Sequence, residues 1–266
     1  MTPSGTIRTG IGGWVFEPWN ESFYPPKLPK TKQLQHAGRE LAAIEVNGTY
    51  YGSQKPATFA KWASDVPDGF VFSLKASRYC TNRKVLAEAS PSIGKFLTQG
   101  ITELGDRLGP ILWQFMATKA FDPEDFEAFL QLLPKSQDGI ALRHVVEPRH
   151  ASFQVPEFID LLARYEVAAV LADHDDYPMF ADVTGDFVYA RLQKGSDDIA
   201  TCYPPDAITR WADRFKTYAG GGAPDDLPRV AAERTAAKKP RDVFAFFITG
   251  GKVNAPHGAM ALQKLV

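Results

Sequence analysis

The segment Val146-Glu147-Pro148-Arg149-His150 places a carboxylate, a guanidinium and an imidazole within four residues at the end of an apolar run. In a strand, side chains alternate between faces, so Glu147 and Arg149 share one. Other apolar runs end in the same manner. Glu45 and Asn47 share a face, as do Ser73 and Lys75; Gln114, Asp173 and Arg191 close further runs. Arginine pairs bidentately with phosphate or carboxylate, and lysine adds a point charge. Carboxylates in such a field can move protons. The expectation is a site in which Glu45, Glu147 and Asp173 are catalytic. Lys75, Arg149, His150, Arg191, Asn47 and Gln114 would bind a small anionic substrate, phosphorylated or carboxylated, with Trp14 and Tyr51 alongside. The competing expectation is a self-satisfied ion-pair plug, because buried charges are paired whether or not a ligand binds.

Such groups converge only if strands bring them to one end. Eight short apolar runs qualify: Ile7–Ile11, Ala43–Val46, Phe70–Leu74, Ile111–Phe115, Ala141–Val146, Ala168–Ala172, Phe187–Leu192 and Val243–Ile248. Most are nearly continuous, as in strands buried on both faces of a parallel sheet. Helical stripes lie between them. Ser90-Pro91 and Asp122-Pro123 read as caps with proline in the first turn. Ile93, Phe96, Leu97, Ile101, Leu104 and Leu108 form one apolar stripe. Phe158–Tyr165 and Ile208–Phe215 carry two more. Eight strands with intervening helices predict a TIM-type (β/α)8 barrel, a single domain over residues 1–266; an open doubly wound sheet is the alternative. In such a barrel, chemistry lies at the C-terminal ends of the strands.

Two connections are long. Gly12 to Lys30 is rich in proline and aromatics and is expected over the barrel mouth. Residues 220–239, opening on three glycines, read as a flexible insertion. The chain has 266 residues, 44% hydrophobic and 23% charged, with a formal net charge of −1. That balance fits a soluble globular protein and gives no broad electrostatic footprint for nucleic acid. The two cysteines, Cys80 and Cys202, lack metal spacing and read as free thiols of a reducing compartment. The N-terminus lacks a secretory pattern and no apolar run reaches membrane-spanning length, so a cytoplasmic location is expected. Glu147, His150, Asp173 and His174 could together surround a divalent metal, but nearby cations oppose one, and no metal or cofactor is expected.

The chain resembles the YecE-like family, also called domain of unknown function 72. The resemblance rests on Gly10-Ile11-Gly12-Gly13-Trp14, on Glu45-Val46-Asn47-Gly48-Thr49-Tyr50-Tyr51, on Pro67-Asp68-Gly69-Phe70 through Lys75, and on Glu147-Pro148-Arg149-His150. Leu108 to Phe115 and Leu171-Ala172-Asp173 fit as well. It covers nearly the whole chain and implies a TIM-type barrel of the xylose-isomerase and endonuclease-IV kind, without implying a particular reaction. The sequence departs from the family pattern at Pro148, Phe153 and Asn82, at Gln193-Lys194, and at the end of the last strand, Phe247-Ile248-Thr249-Gly250. Three functions are carried forward: an enzyme for a small anion, a nucleic-acid-binding or endonuclease-like protein, and a non-catalytic binding protein.

Overall fold

A computed structural model describes residues 4–266. Eight parallel strands close into a barrel. They are β1 (Ile7–Gly12), β2 (Ala43–Val46), β3 (Val71–Lys75), β4 (Leu108–Gln114), β5 (His144–Glu147), β6 (Ala168–Asp173), β7 (Phe187–Leu192) and β8 (Asp242–Phe247). Each pairs with its sequence neighbours, and β1 pairs with β8 to close the ring. All eight predicted runs are strands, displaced by a few residues at their ends. The largest displacements have local causes. β4 starts at Leu108 because Gly109 lets Val71 approach: a Cβ there would lie 2.3 Å from Val71 Cγ1. Pro110, which has no N–H to donate, coincides with a shift of register against β3, between Phe72 and Leu74. β5 starts three residues late because Ile140–Ala141 turns back to pair with Ser136–Gln137.

Alternation separates two apolar layers. Val71, Leu112, Val145, Val170, Tyr189, Phe244 and Phe246 fill the barrel interior. Ile44, Phe72, Trp113, Val146 and Leu171 face outward to the helices. Asp122 caps its helix as predicted, its carboxylate accepting from Asp125 N. Ser90 is instead the first helical residue, with no side-chain cap. The stripe from Ile93 to Leu108 is not one helix. It ends at Leu97, Gly100 takes a φ of 104°, and a 3-10 segment follows.

The aromatic connection after β1 packs its rings into the outer shell rather than across the mouth. Trp19 and Tyr24 are buried in the outer shell, and Trp14 packs edge-on against Trp62 and Phe72. Residues 220–239 are irregular and run past the N-terminal end of the barrel. Asp182 accepts from Val230 N and Ala231 N, and Arg241 donates to the carbonyls of Gly222 and Ala237. Among the described residues, no helix is long and apolar enough to cross a membrane.

Gly10 lies on the interior face of β1, where a Cβ would be 2.0 Å from the Ala43 carbonyl oxygen. Gly10→Ala is therefore predicted to destabilise by about 1–3 kcal/mol or more through overpacking. Urea unfolding against wild type checks this; an unchanged midpoint contradicts the close packing of β1 on β2.

Candidate functional site

Arg191 crosses the interior of the barrel near its C-terminal end. Its neighbour across β6 is Ala172 and across β8 is Phe246, and the small Ala172 leaves room for the guanidinium. Nε and Nη2 donate to the two oxygens of Glu45, at 3.0 and 3.1 Å. Nη1 donates to both oxygens of Glu147, at 2.7 and 2.8 Å. All three side chains are essentially sealed from solvent. Tyr189 donates to Glu45 Oε2 at 2.8 Å, Asn47 Nδ2 to Glu45 Oε1 at 3.1 Å, and the Gln114 amide to Glu147 Oε2. Ser73 Oγ lies 2.7 Å from the Tyr189 hydroxyl and donates to the Pro110 carbonyl.

Desolvation alone would force buried charges toward neutrality, but a charged partner reverses this. Burial pushes the Glu147 carboxyl up, and the guanidiniums of Arg191 and Arg149 overcome it and hold it below the usual range. Burial disfavours the Arg191 charge, yet Glu147 and Glu45 leave it more strongly protonated than in water. Burial and then the Glu45 charge keep the Tyr189 phenol protonated, hence a donor.

Toward solvent sit two further cations with looser contacts. Arg149 lies 3.5 Å from Glu147 Oε1 and 3.4 Å from the Tyr177 hydroxyl, and its guanidinium stacks 4.3 Å from the Tyr177 ring centre. His174 stacks on the same ring at 4.0 Å. Arg149 Nε is buried with no acceptor. Lys75 Nζ sits 4.2 Å from the centre of the Tyr50 ring, whose hydroxyl accepts from Asn82. Among the described residues, Lys75 Nζ has no ion pair within 4.0 Å and no hydrogen bond. Burial, reinforced by the charge of Arg191 and opposed by Glu45 and Glu147, brings its ammonium down to about 8.

The strands thus gather Glu45, Asn47, Lys75, Gln114, Glu147, Arg149 and Arg191. Four other predicted residues are elsewhere. Ala172 points into the barrel, so Asp173 points out; it accepts from the Tyr203 hydroxyl at 2.9 Å and lies 3.9 Å from Lys194. His150 has the parity opposite to Arg149 and caps a short turn, its Nδ1 accepting from Ser152 N. Trp14 belongs to the outer shell, and Tyr51 is 67% exposed. The residues weighed for a metal therefore do not converge. Sequence reasoning missed Tyr50 as the partner of Lys75 and Tyr177 as the partner of Arg149. Tyr189 was detectable, since it shares the parity of Arg191 on one strand. Tyr177 lies in a loop with no periodic signal. A cavity of about 500 Å3 lies at the opposite end of the barrel, beside Arg143, Asp186 and Arg241, remote from this cluster.

Arg191→Leu leaves two buried carboxylates uncompensated and is predicted to cost about 3–5 kcal/mol. Glu147 has a lowered folded pKa, so the stability it contributes is present at neutral pH and is lost as pH falls below the ordinary glutamate range, about 4.3. The stability gap between wild type and Glu147→Gln should shrink accordingly in acid; a gap independent of pH contradicts the ion pair. Lys75 titrates near 8 rather than 10.5. Between those values the unfolded chain holds a proton that the folded chain has lost, so stability rises with pH relative to Lys75→Met. Side-chain NMR of labelled lysine reads the midpoint directly.

The family model described as protein of unknown function DUF72 matches residues 8–266. Among curated relatives, UPF0759 protein YecE of Escherichia coli K12 is 29% identical over 142 residues, 52% of this chain and 48% of that protein. UPF0759 protein YunF of Bacillus subtilis 168 is 30% identical over 78 residues, 29% of this chain and 27% of that protein. The chain thus spans about half the length of YecE, and about a quarter of YunF, in these matches. Among solved structures, a DUF72 family protein of Thermotoga maritima MSB8 superposes with a TM-score of 0.72 at 20% identity, covering 97% of this chain and 98% of that one. The closed eight-stranded barrel and the near-complete family match agree, and the chain belongs to the DUF72 family.

Proposed function

We propose that this protein binds, and acts on, a small phosphorylated or carboxylated molecule at the C-terminal mouth of the barrel. The observation that carries the reading is the surplus of positive donors there. Three cations, Lys75, Arg149 and Arg191, meet two carboxylates, Glu45 and Glu147, and Arg191 is fully engaged by both. Arg149 and Lys75 are left with unused donors on the solvent side. Gln193 Nε2, two residues beyond Arg191 and of the same parity, is also buried with no acceptor. An oxygen-rich anion would supply acceptors to the solvent-side N–H groups of Arg149 and Lys75. Arg149 offers it a planar fork, and Lys75 a point charge.

In this reading Glu45 and Glu147 hold Arg191 and set the field. Glu147 is too acidic and too enclosed to serve as a general base near neutrality. Lys75, whose ammonium is brought down to about 8, is the group of the cluster that can lose its proton near neutrality. The reaction itself is left open by this geometry. Nucleic acid finds no comparable support: the exposed Tyr51 and Tyr79 flank a separate cleft of about 410 Å3 that includes one cation, Lys95.

A thermal-shift panel of sugar phosphates, 2-oxo acids, nucleotides and short oligonucleotides tests the proposal on wild type and Arg149→Ala. A ligand at 100 times its Kd should stabilise wild type by about 2.7 kcal/mol. The expected result is a shift with a small anion in wild type that is lost in Arg149→Ala, while the variant alone melts within about 1 kcal/mol of wild type. Silence across the panel together with an early-melting variant would make the cluster structural. A shift with oligonucleotides alone would transfer the site to nucleic acid.

A further inference from the structure

An amine that only attracts an anion works best as a hydrated, fully protonated point charge. Lys75 is placed differently. It is 7% exposed, lies over the Tyr50 ring, and lacks a carboxylate partner among the described residues. Its Nζ nevertheless keeps contact with solvent. The charged groups facing it are Glu45 on β2, Glu147 and Arg149 at the end of β5, and Arg191 on β7. Two guanidiniums and burial disfavour the proton, and Glu45 and Glu147, both held by Arg191, restore it only in part. A desolvated amine beside other cations is an activated nucleophile.

We propose that Lys75 forms an imine with the aldehyde or ketone carbon of a small substrate whose phosphate or carboxylate rests on Arg149. The inference deepens the anion-binding reading and depends on it for the class of substrate. The step balances without any redox partner. The nitrogen lone pair adds to the carbonyl carbon, the oxygen gains a proton and the nitrogen sheds one, giving a carbinolamine. That hydroxyl then leaves with the second nitrogen proton as water, and the C=N bond remains. The neighbouring Arg149 would fix the anionic end, so that the carbonyl presents itself to Nζ rather than tumbling.

The test is reductive trapping. The full-length protein is incubated at neutral pH with cyanoborohydride and either glyceraldehyde 3-phosphate or unphosphorylated glyceraldehyde, and modified lysines are mapped by peptide mass spectrometry. Lys75 should be modified by the phosphorylated aldehyde at least ~10-fold faster than the exposed Lys95 and Lys264, as expected for an activated amine. Arg149→Ala should reduce that rate to the level seen with glyceraldehyde, and Lys75→Arg should remove the modification. If Lys75 reacts no faster than Lys95 with either aldehyde, the imine is overturned; anion binding is then judged separately by whether glyceraldehyde 3-phosphate still raises the melting temperature. If both aldehydes modify Lys75 equally and Arg149→Ala changes nothing, the anionic substrate class is overturned.

Discussion

The site depends on one guanidinium spanning the barrel. Arg191 starts on β7 and closes on carboxylates from β2 and β5, which are 146 and 44 residues away in sequence. In a dry interior neither glutamate could remain ionised alone, and neither could the arginine. Together they form four short charge-assisted hydrogen bonds, with Tyr189, Asn47 and Gln114 occupying further carboxylate lone pairs. Such a cluster gives little net stability relative to apolar packing. What it does supply is geometry: three strand ends are held at fixed spacing, and every later feature of the mouth is referred to that spacing.

The brace also decides which groups are free. By absorbing both carboxylates, Arg191 leaves Lys75 and Arg149 facing solvent without full partners. Aromatic faces support both cations: Tyr50 stands in place of an acid beside Lys75, and Tyr177 adds to the long 3.5 Å contact of Arg149 with Glu147. A ring attracts a cation through its quadrupole without satisfying its N–H donors. The outcome is a lip that is positively charged, pre-oriented and still short of acceptors, above a floor in which one guanidinium meets two carboxylates.

Periodicity made the barrel legible, because eight apolar runs separated by amphipathic stripes have few other solutions. It also made the brace partly legible. Glu45, Glu147 and Arg191 each sit at the end of a run in inward parity. Strand-end position without parity misleads at Asp173, which follows the inward Ala172 and so faces outward. His150 is beyond the last strand residue and is drawn into capping a turn. Trp14 was assigned to the mouth by its place in the chain, yet Trp62 and Phe72 give its ring an apolar shell to enter. Tyr177 lies in a loop and Tyr50 in a one-turn helix, Gly48–Tyr51, too short for a repeat to connect sequence to direction.

The central claim is that the lip cations, and not the braced pair beneath them, hold an anion. Anomalous diffraction from crystals soaked in selenate tests it most directly. The account predicts a selenium peak whose oxygens lie within hydrogen-bonding distance of Arg149 and Lys75, with the Arg191 contacts to Glu45 and Glu147 unchanged. A mouth without such a peak, while selenate binds elsewhere on the protein, would contradict it.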